Sequence, residues 1–471
     1  MKKGDIVEGI ITEYEFPNKA YMKVEDKRVL VKGALPGQYV STRITKNRSE
    51  KAEALLLSVL KKGELEDREP ICPHFGICGG CTYQTMSYEN QLKLKEDMIH
   101  GMLNSVVKDD YSWDGILKSP LTEGYRNKME FSFGDEVKDG PLSLGMHKKG
   151  SFHDIVTVSE CKIVHPDFTA ILKAIRDFYA ERKVPFFHRM SHEGILRHLI
   201  LRRSFADGAL LINLVTSTQY RADGSEDISD GVYRCGVLAL DELSKVLKGL
   251  KLSGRIAGFI HTQNDSMADA VIPERVVTVF GEDSIYEEIL GLRFRISPFS
   301  FFQTNTKGCE VLYEKAREYV GETKDKVIFD LYSGTGTIAQ MLAPVAKKVV
   351  GVEIIEEAVV AARENAKLNG LDNCEFIAGD VLKKIDEIED KPDLIVLDPP
   401  RDGINPKALN KIIDFGVKNL VYISCKPSSL VRDLVTLQAR GYRVTRAVAV
   451  DQFVNTVHTE TICLLEQYNQ R

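Results

Sequence analysis

Two short stretches carry residues able to do chemistry together: Asp398-Pro399-Pro400-Arg401 and Ser424-Cys425-Lys426-Pro427. A cysteine is a nucleophile once ionised, which needs local positive potential or hydrogen bonding. A carboxylate on the same rim can accept a hydrogen bond from a substrate. The double proline fixes φ twice and removes two backbone donors, giving a stiff loop. Each stretch ends an apolar run, Leu394–Leu397 for the first and Leu420–Ile423 for the second. Such runs, closed by turn residues, read as buried parallel strands. Ligands of an open α/β sheet bind outside the carboxyl ends of its strands. The pattern therefore places a carboxylate, a rigid turn and a thiol on one rim.

A cofactor loop is expected on the same rim. Asp330-Leu331-Tyr332-Ser333-Gly334-Thr335-Gly336 follows another apolar run, and Glu353 ends the next one, 19 residues after Gly334. Glycines allow a tight turn and close backbone approach, and an acidic group at that spacing suits ribose hydroxyls. Position 339 is Ala where a dinucleotide fingerprint has its third glycine. S-adenosylmethionine, with a ribose and adenine but no pyrophosphate, suits this loop. Asp380, in Ala378-Gly379-Asp380, ends a third strand where it would face the adenine amino group. The plainer alternative makes Gly334 and Gly336 turns, and Glu353 and Asp380 solvated.

The elements that must hold these groups follow from periodicity. Residues 291–471 alternate strand and helix, including a helical stretch Glu356–Leu368 closed by Asn369-Gly370, as in a doubly wound, Rossmann-like sheet. Residues 61–290 read as a strand-rich α+β insert with a helix near Phe168–Glu181. A further helix at 87–107, with Ser87 as N-cap, is free to pack on the catalytic domain. Residues 1–60 hold five short strands separated by Gly/Pro turns, an OB-like barrel.

Cys72-x5-Cys78-x2-Cys81, with the distant Cys161, offers four thiolates, a set that serves either zinc or an iron–sulfur cluster. Cys235, Cys309, Cys374 and Cys463 have no motif around them and read as small core residues.

Composition sets the bounds. The chain has 471 residues, nine cysteines and a net charge of −5. It shows neither a long apolar run nor a signal-peptide h-region, so a cytoplasmic location, reduced thiols and no membrane association are expected. Charge is uneven: residues 1–62 hold 13 Lys+Arg against 8 Asp+Glu, a local +5 that leaves −10 for the rest. Local positive charge suits phosphate contacts. Tyr125-Arg126-Asn127-Lys128 and Arg197-His198 with Arg202-Arg203 mix basic and aromatic groups, a second possible RNA surface.

Taken together, Phe301-Phe302-Gln303-Thr304-Asn305, Asp330–Gly336, Asp398–Arg401, Ser424–Pro427 with Arg432-Asp433, and His458-Thr459-Glu460 resemble the RNA uracil-5-methyltransferases. The similarity spans nearly the whole chain and is nearest to the branch acting on 23S ribosomal RNA. The resemblance implies a class I S-adenosylmethionine methyltransferase fold, a TRAM domain at 1–60, Cys425 as nucleophile and Glu460 as base. It also implies cofactor contacts from Gln303, Tyr332, Glu353 and Asp398, and a [4Fe–4S] cluster on Cys72, Cys78, Cys81 and Cys161. RNA is the implied partner and a monomer the expected state. The chain departs from the family pattern at Val454, where Pro is usual, a change that would reshape the substrate loop. Alternatives are a tRNA uridine-5 or RNA cytosine-5 methyltransferase, or a non-catalytic RNA-binding protein.

Overall fold

The computed structural model describes residues 1–48, 51–219 and 236–468, with the short strands Ile228–Ser229 and Val232–Tyr233; Cys235 lies outside the described residues. Five strands between Ile6 and Lys61 close into a barrel around Ile11, Met22, Val29, Val31 and Val40. Their alternating burial is what a closed sheet with one solvated face requires.

The insert is a seven-stranded sheet. Its spatial order runs Arg275–Gly281, Ile256–Gln263, Leu210–Thr216, Leu196–Arg203, Lys128–Asp135, Leu142–His147, Ile155–Thr157. Helices Pro166–Glu181 and Leu240–Lys248 share an apolar core with it, centred on Phe131, Phe168, Leu199 and Phe259.

The catalytic sheet has eight strands, in the order Cys374–Ala378, Lys348–Glu353, Val327–Leu331, Leu394–Leu397, Asn419–Ser424, Glu460–Gln467, Tyr442–Val450, Ser112–Leu117. The first five run parallel; Glu460–Gln467 is antiparallel to both its neighbours. From Val327–Leu331 the chain winds outward to one side and then returns to the other, so the topological switch lies between Val327–Leu331 and Leu394–Leu397. That is where ligands bind in such sheets.

Two segments that precede residue 291 join this layer. The strand Ser112–Leu117, which the alternation did not reveal, pairs with Tyr442–Val450 and so belongs to the catalytic sheet although it precedes the insert. The helix Tyr88–Asn104, capped by Ser87 Oγ accepting from Asn90 N at 3.3 Å, also turns Ile99 and Leu103 into the catalytic core. A boundary drawn at 61–290 thus cuts through the catalytic layer. No helix among the described residues is long and apolar enough to cross a membrane.

Candidate active site

A cleft of about 1410 Å³ opens at the switch point, lined by Gln303, Tyr332, Gly334, Glu353, Asp380, Asp398, Cys425 and Glu460 together with Arg126, Arg401, Phe453 and His458. They arrive from several separate loops and strand ends. Cys425 sits in the turn between strand Asn419–Ser424 and helix Pro427–Ala439, whose first residue is proline. Pro at that position loses no hydrogen bond and starts the helix abruptly. Glu460 begins the neighbouring antiparallel strand.

Charge organises the catalytic end. Burial is the main cause that pushes the Cys425 thiol up to about 11; Glu460 and Asp398 raise it further, while the charge and hydrogen bond of Arg401 lower it. Glu460 is pushed up to about 8 by burial and by Asp398, again opposed by Arg401. Burial raises Asp398 to about 7. His458 is pulled down to about 4 by burial and by the cations Arg401, Arg126 and Lys95, so it is neutral. A neutral imidazole fits an orienting group.

The loop after the double proline is braced from below. Ser429 Oγ donates to the Arg401 carbonyl at 2.6 Å, and Arg432 Nη2 to the Asp402 carbonyl at 2.7 Å. Asp433 Oδ2 accepts from Ile404 N at 2.9 Å and from Tyr422 OH at 2.7 Å. Arg432-Asp433 therefore hold the loop.

At the cofactor end, Glu353 accepts from Gly334 N and Ile355 N, both at 2.9 Å. Tyr332, Gly334 and Gly336 all have positive φ, which coils the loop tightly. Ser333 lines the cleft, and its buried Oγ has no partner among the described residues. Such an orphan, beside a ribose-type carboxylate, fits a bound nucleoside. The two glycines differ. A Cβ on Gly334 would meet only Phe301, at 3.7 Å; one on Gly336 would lie 2.6 Å from Phe376 and 2.9 Å from Ala362. Gly336 is a packing glycine. Asp380 caps the helix Val381–Lys384, accepting from Leu382 N at 2.9 Å, while it lines the cleft.

The segment 297–304 carries Phe301, exposed at the lip, and Gln303. Buried Arg202 donates to the Pro298 carbonyl at 3.2 Å and to the Ser300 carbonyl. Asn127 Nδ2 donates to the Gln303 carbonyl, and Asn305 Nδ2 to the Gln452 carbonyl. This corrects the basic and aromatic surface expected on the insert. Tyr125 is buried and donates to the Val454 carbonyl at 2.9 Å, and buried Arg197 donates to the carbonyls of Asn264, Ser266 and Ala268. His198 is buried as well. Backbone carbonyls took up Arg197 and Arg202; in this strip only Arg126 lines the cleft. Val454 packs its side chain into the insert core.

Arg401 is the functional residue that the sequence reading passed over as a charge partner for Cys425. Its place directly after Pro400 was the available signal.

Cys72, Cys78, Cys81 and Cys161 share one neighbourhood. Burial raises Cys78, Cys81 and Cys161, and each is raised further by other members of the set. The Gly79 N–H to His147 carbonyl bond, 2.9 Å, clamps their loop on the insert sheet. The donors are chemically those of a four-thiolate centre. Among the described residues no group of three or more His, Cys, Asp or Glu is placed to hold a metal ion. Cys309 and Cys463 are buried and Cys374 partly so.

Comparison with known proteins places the fold and its kin. The sequence model described as tRNA (Uracil-5-)-methyltransferase matches residues 278–468. A protein of Caldanaerobacter subterraneus subsp. tengcongensis named "Uncharacterized RNA methyltransferase" is 44% identical over 467 residues, covering 99% of this chain and 100% of that protein. One of the same description from Clostridium acetobutylicum is 45% identical, covering 99% of each. The crystal structure of Pyrococcus abyssi tRNA (uracil-54, C5)-methyltransferase in complex with S-adenosyl-L-homocysteine superposes with TM-score 0.74. It is 24% identical and covers 98% of this chain and 100% of that one. At that identity the likeness speaks for the fold.

Proposed function

Because the chain belongs to the RNA uracil-5-methyltransferase family, an S-adenosylmethionine-dependent group of enzymes, we propose that it methylates C5 of a uridine in RNA with Cys425 as nucleophile and Glu460 as base. The observation that carries this reading is the meeting of Cys425, Glu460, Asp398 and Arg401 in one cleft. C5 of uracil is too weak a nucleophile to take a methyl group unaided. The Cys425 thiolate, favoured by Arg401, adds to C6 and sends the ring electrons toward O4, leaving carbanion character at C5. S-adenosylmethionine supplies an electrophilic methyl group when bound. Gln303, Tyr332, Glu353 and Asp398 would hold it, with Asp380 near the adenine. After transfer to C5, Glu460 removes the C5 proton, the C5–C6 double bond re-forms and the C6–S bond breaks, returning the thiolate. The target base must leave its stack to enter the cleft, and exposed Phe301 stands at the lip to receive it.

The proposed target is 23S rRNA, with residues 1–60 as an RNA-binding TRAM module. The description of the matching sequence model favours a tRNA uridine as the second reading. Mapping 5-methyluridine in both RNAs from a deletion strain decides between them. RNA carrying 5-fluorouridine at the target should form a stable adduct with the wild type and none with Cys425→Ala; methylation by that variant near the wild-type rate would refute the mechanism. We also propose that Cys72, Cys78, Cys81 and Cys161 hold a [4Fe–4S] cluster. Anaerobically purified protein should then contain iron and sulfide at about four each per chain; stoichiometric zinc without sulfide would overturn the assignment.

A further inference from the structure

One buried cation holds part of the cleft wall from behind. Lys95, on the helix Tyr88–Asn104, and Asp451 are both fully buried, and Lys95 Nζ donates to Asp451 Oδ1 at 2.7 Å. The same ammonium donates to the Phe453 carbonyl at 3.2 Å and the His458 carbonyl at 3.4 Å. Its three protons thus have three acceptors, all in one segment. Lys95 grips both ends of residues 451–458, and the segment stops two positions before Glu460. Gln91, one turn earlier on the same helix face, closes the middle: its amide donates to Asn455 Oδ1 at 3.0 Å and accepts from Asn455 N at 2.8 Å. Asn455 is held at φ +66°, a conformation that needs surrounding support.

Phe453 and His458, whose carbonyls Lys95 binds, line the cleft beside Glu460. Cys425 lies in a different turn, among whose hydrogen bonds Lys95 does not figure. A buried ion pair contributes little net stability, because desolvation offsets the Coulomb gain. The value of this one lies in the geometry it imposes on the segment that leads into Glu460.

We infer that Lys95 and Asp451 form a positioning pair that sets Glu460 against C5 of the target uridine, so that the pair governs proton removal and leaves thiolate addition untouched. This rests on the assignment of Cys425 and Glu460 above.

The test uses full-length protein and whichever unmodified transcript, 23S rRNA or tRNA, the wild type methylates. Lys95→Met alone leaves a buried unpaired carboxylate and is expected to melt early. Lys95→Met/Asp451→Asn neutralises both partners and keeps an acceptor for Phe453 N, which donates to Asp451 Oδ1 at 3.2 Å. The double variant should bind S-adenosylmethionine and trap 5-fluorouridine RNA as the wild type does. It should release methylated RNA about 10²-fold more slowly, the scale of a 1 Å misplacement, and accumulate a methyl-labelled covalent adduct on a denaturing gel. Release within twofold of wild type, or equal loss of trapping and release, would overturn the inference. Loss of the folded state in both variants would make the pair a folding element and overturn it too. Failure of the wild type to trap 5-fluorouridine RNA would instead refute the underlying assignment.

Discussion

Cys425 and Glu460 flank the same end of an antiparallel strand pair. Ser424 pairs with Thr461 as the last pair of the ladder; Cys425 follows Ser424 and Glu460 precedes Thr461, so both flank that end. Glu460 opposes ionisation of Cys425, and Asp398 raises both. A thiolate at Cys425 is therefore favoured while Glu460 keeps its proton.

Replacing Glu460 by Gln should block the second half of the reaction and spare the first. A positioned base contributes about 10²–10⁴-fold, and turnover should fall by that factor. With ordinary RNA and methyl-labelled cofactor, a labelled covalent adduct should accumulate on a denaturing gel in Glu460→Gln. Release of free methylated RNA at the wild-type rate would assign the proton to another group.

Arg401 is the cation that favours the thiolate. With Cys425 raised to about 11 and Glu460 to about 8, adduct formation with 5-fluorouridine RNA should rise with pH between 7 and 9. Arg401→Gln should move that limb to higher pH. A limb that stays in place would show that Arg401 does not act on the thiol.

Folding should follow pH through the same carboxyls. In the folded state Asp398 is raised to about 7, and Asp330 and Glu460 to about 8. Each binds a proton more tightly folded than unfolded, so its stabilising effect is complete below the unfolded carboxyl range and is lost as pH rises toward 8. The melting temperature of cofactor-free protein should decline over that window, and the decline should be shallower in Glu460→Gln. An equally steep decline in the variant would contradict this account.

Two glycines two residues apart should fail differently. Gly336→Ala drives a Cβ into Phe376 and Ala362 at φ +74°, and overpacking of this kind costs about 1–3 kcal/mol. Gly334→Ala, at φ +54° with only an ordinary contact to Phe301, should lose cofactor affinity with a smaller drop in melting temperature. Calorimetry on both variants separates the effects; equal melting temperatures would contradict the packing role of Gly336.

Arg202 should matter without touching substrate. Arg202→Met leaves the Pro298 and Ser300 carbonyls without their donor, at about 1–3 kcal/mol for an unsatisfied buried group. Because those carbonyls hold the segment bearing Gln303, the KM for cofactor should rise more than kcat falls. An unchanged KM would detach Arg202 from the cleft.

The sequence by itself determined which groups stand at strand ends. Apolar runs such as Leu394–Leu397 and Leu420–Ile423 are local signals, and the turn residues after them carry Asp398 and Cys425. The helix Glu356–Leu368, ended at Asn369 with Gly370 at positive φ, is equally local. Tertiary structure decided the rest. Register across distant strands put Cys425 and Glu460 at the same end of a ladder, and the fold of the Pro-Pro loop brought Arg401 to the thiol. Long-range pairing recruited Ser112–Leu117 to the catalytic sheet, and burial turned Arg197 and Arg202 from surface cations into braces for carbonyls. The reason is one of range. Propensity and periodicity act over a few residues, whereas pairing, burial and charge contact depend on which distant segments share the low-dielectric interior.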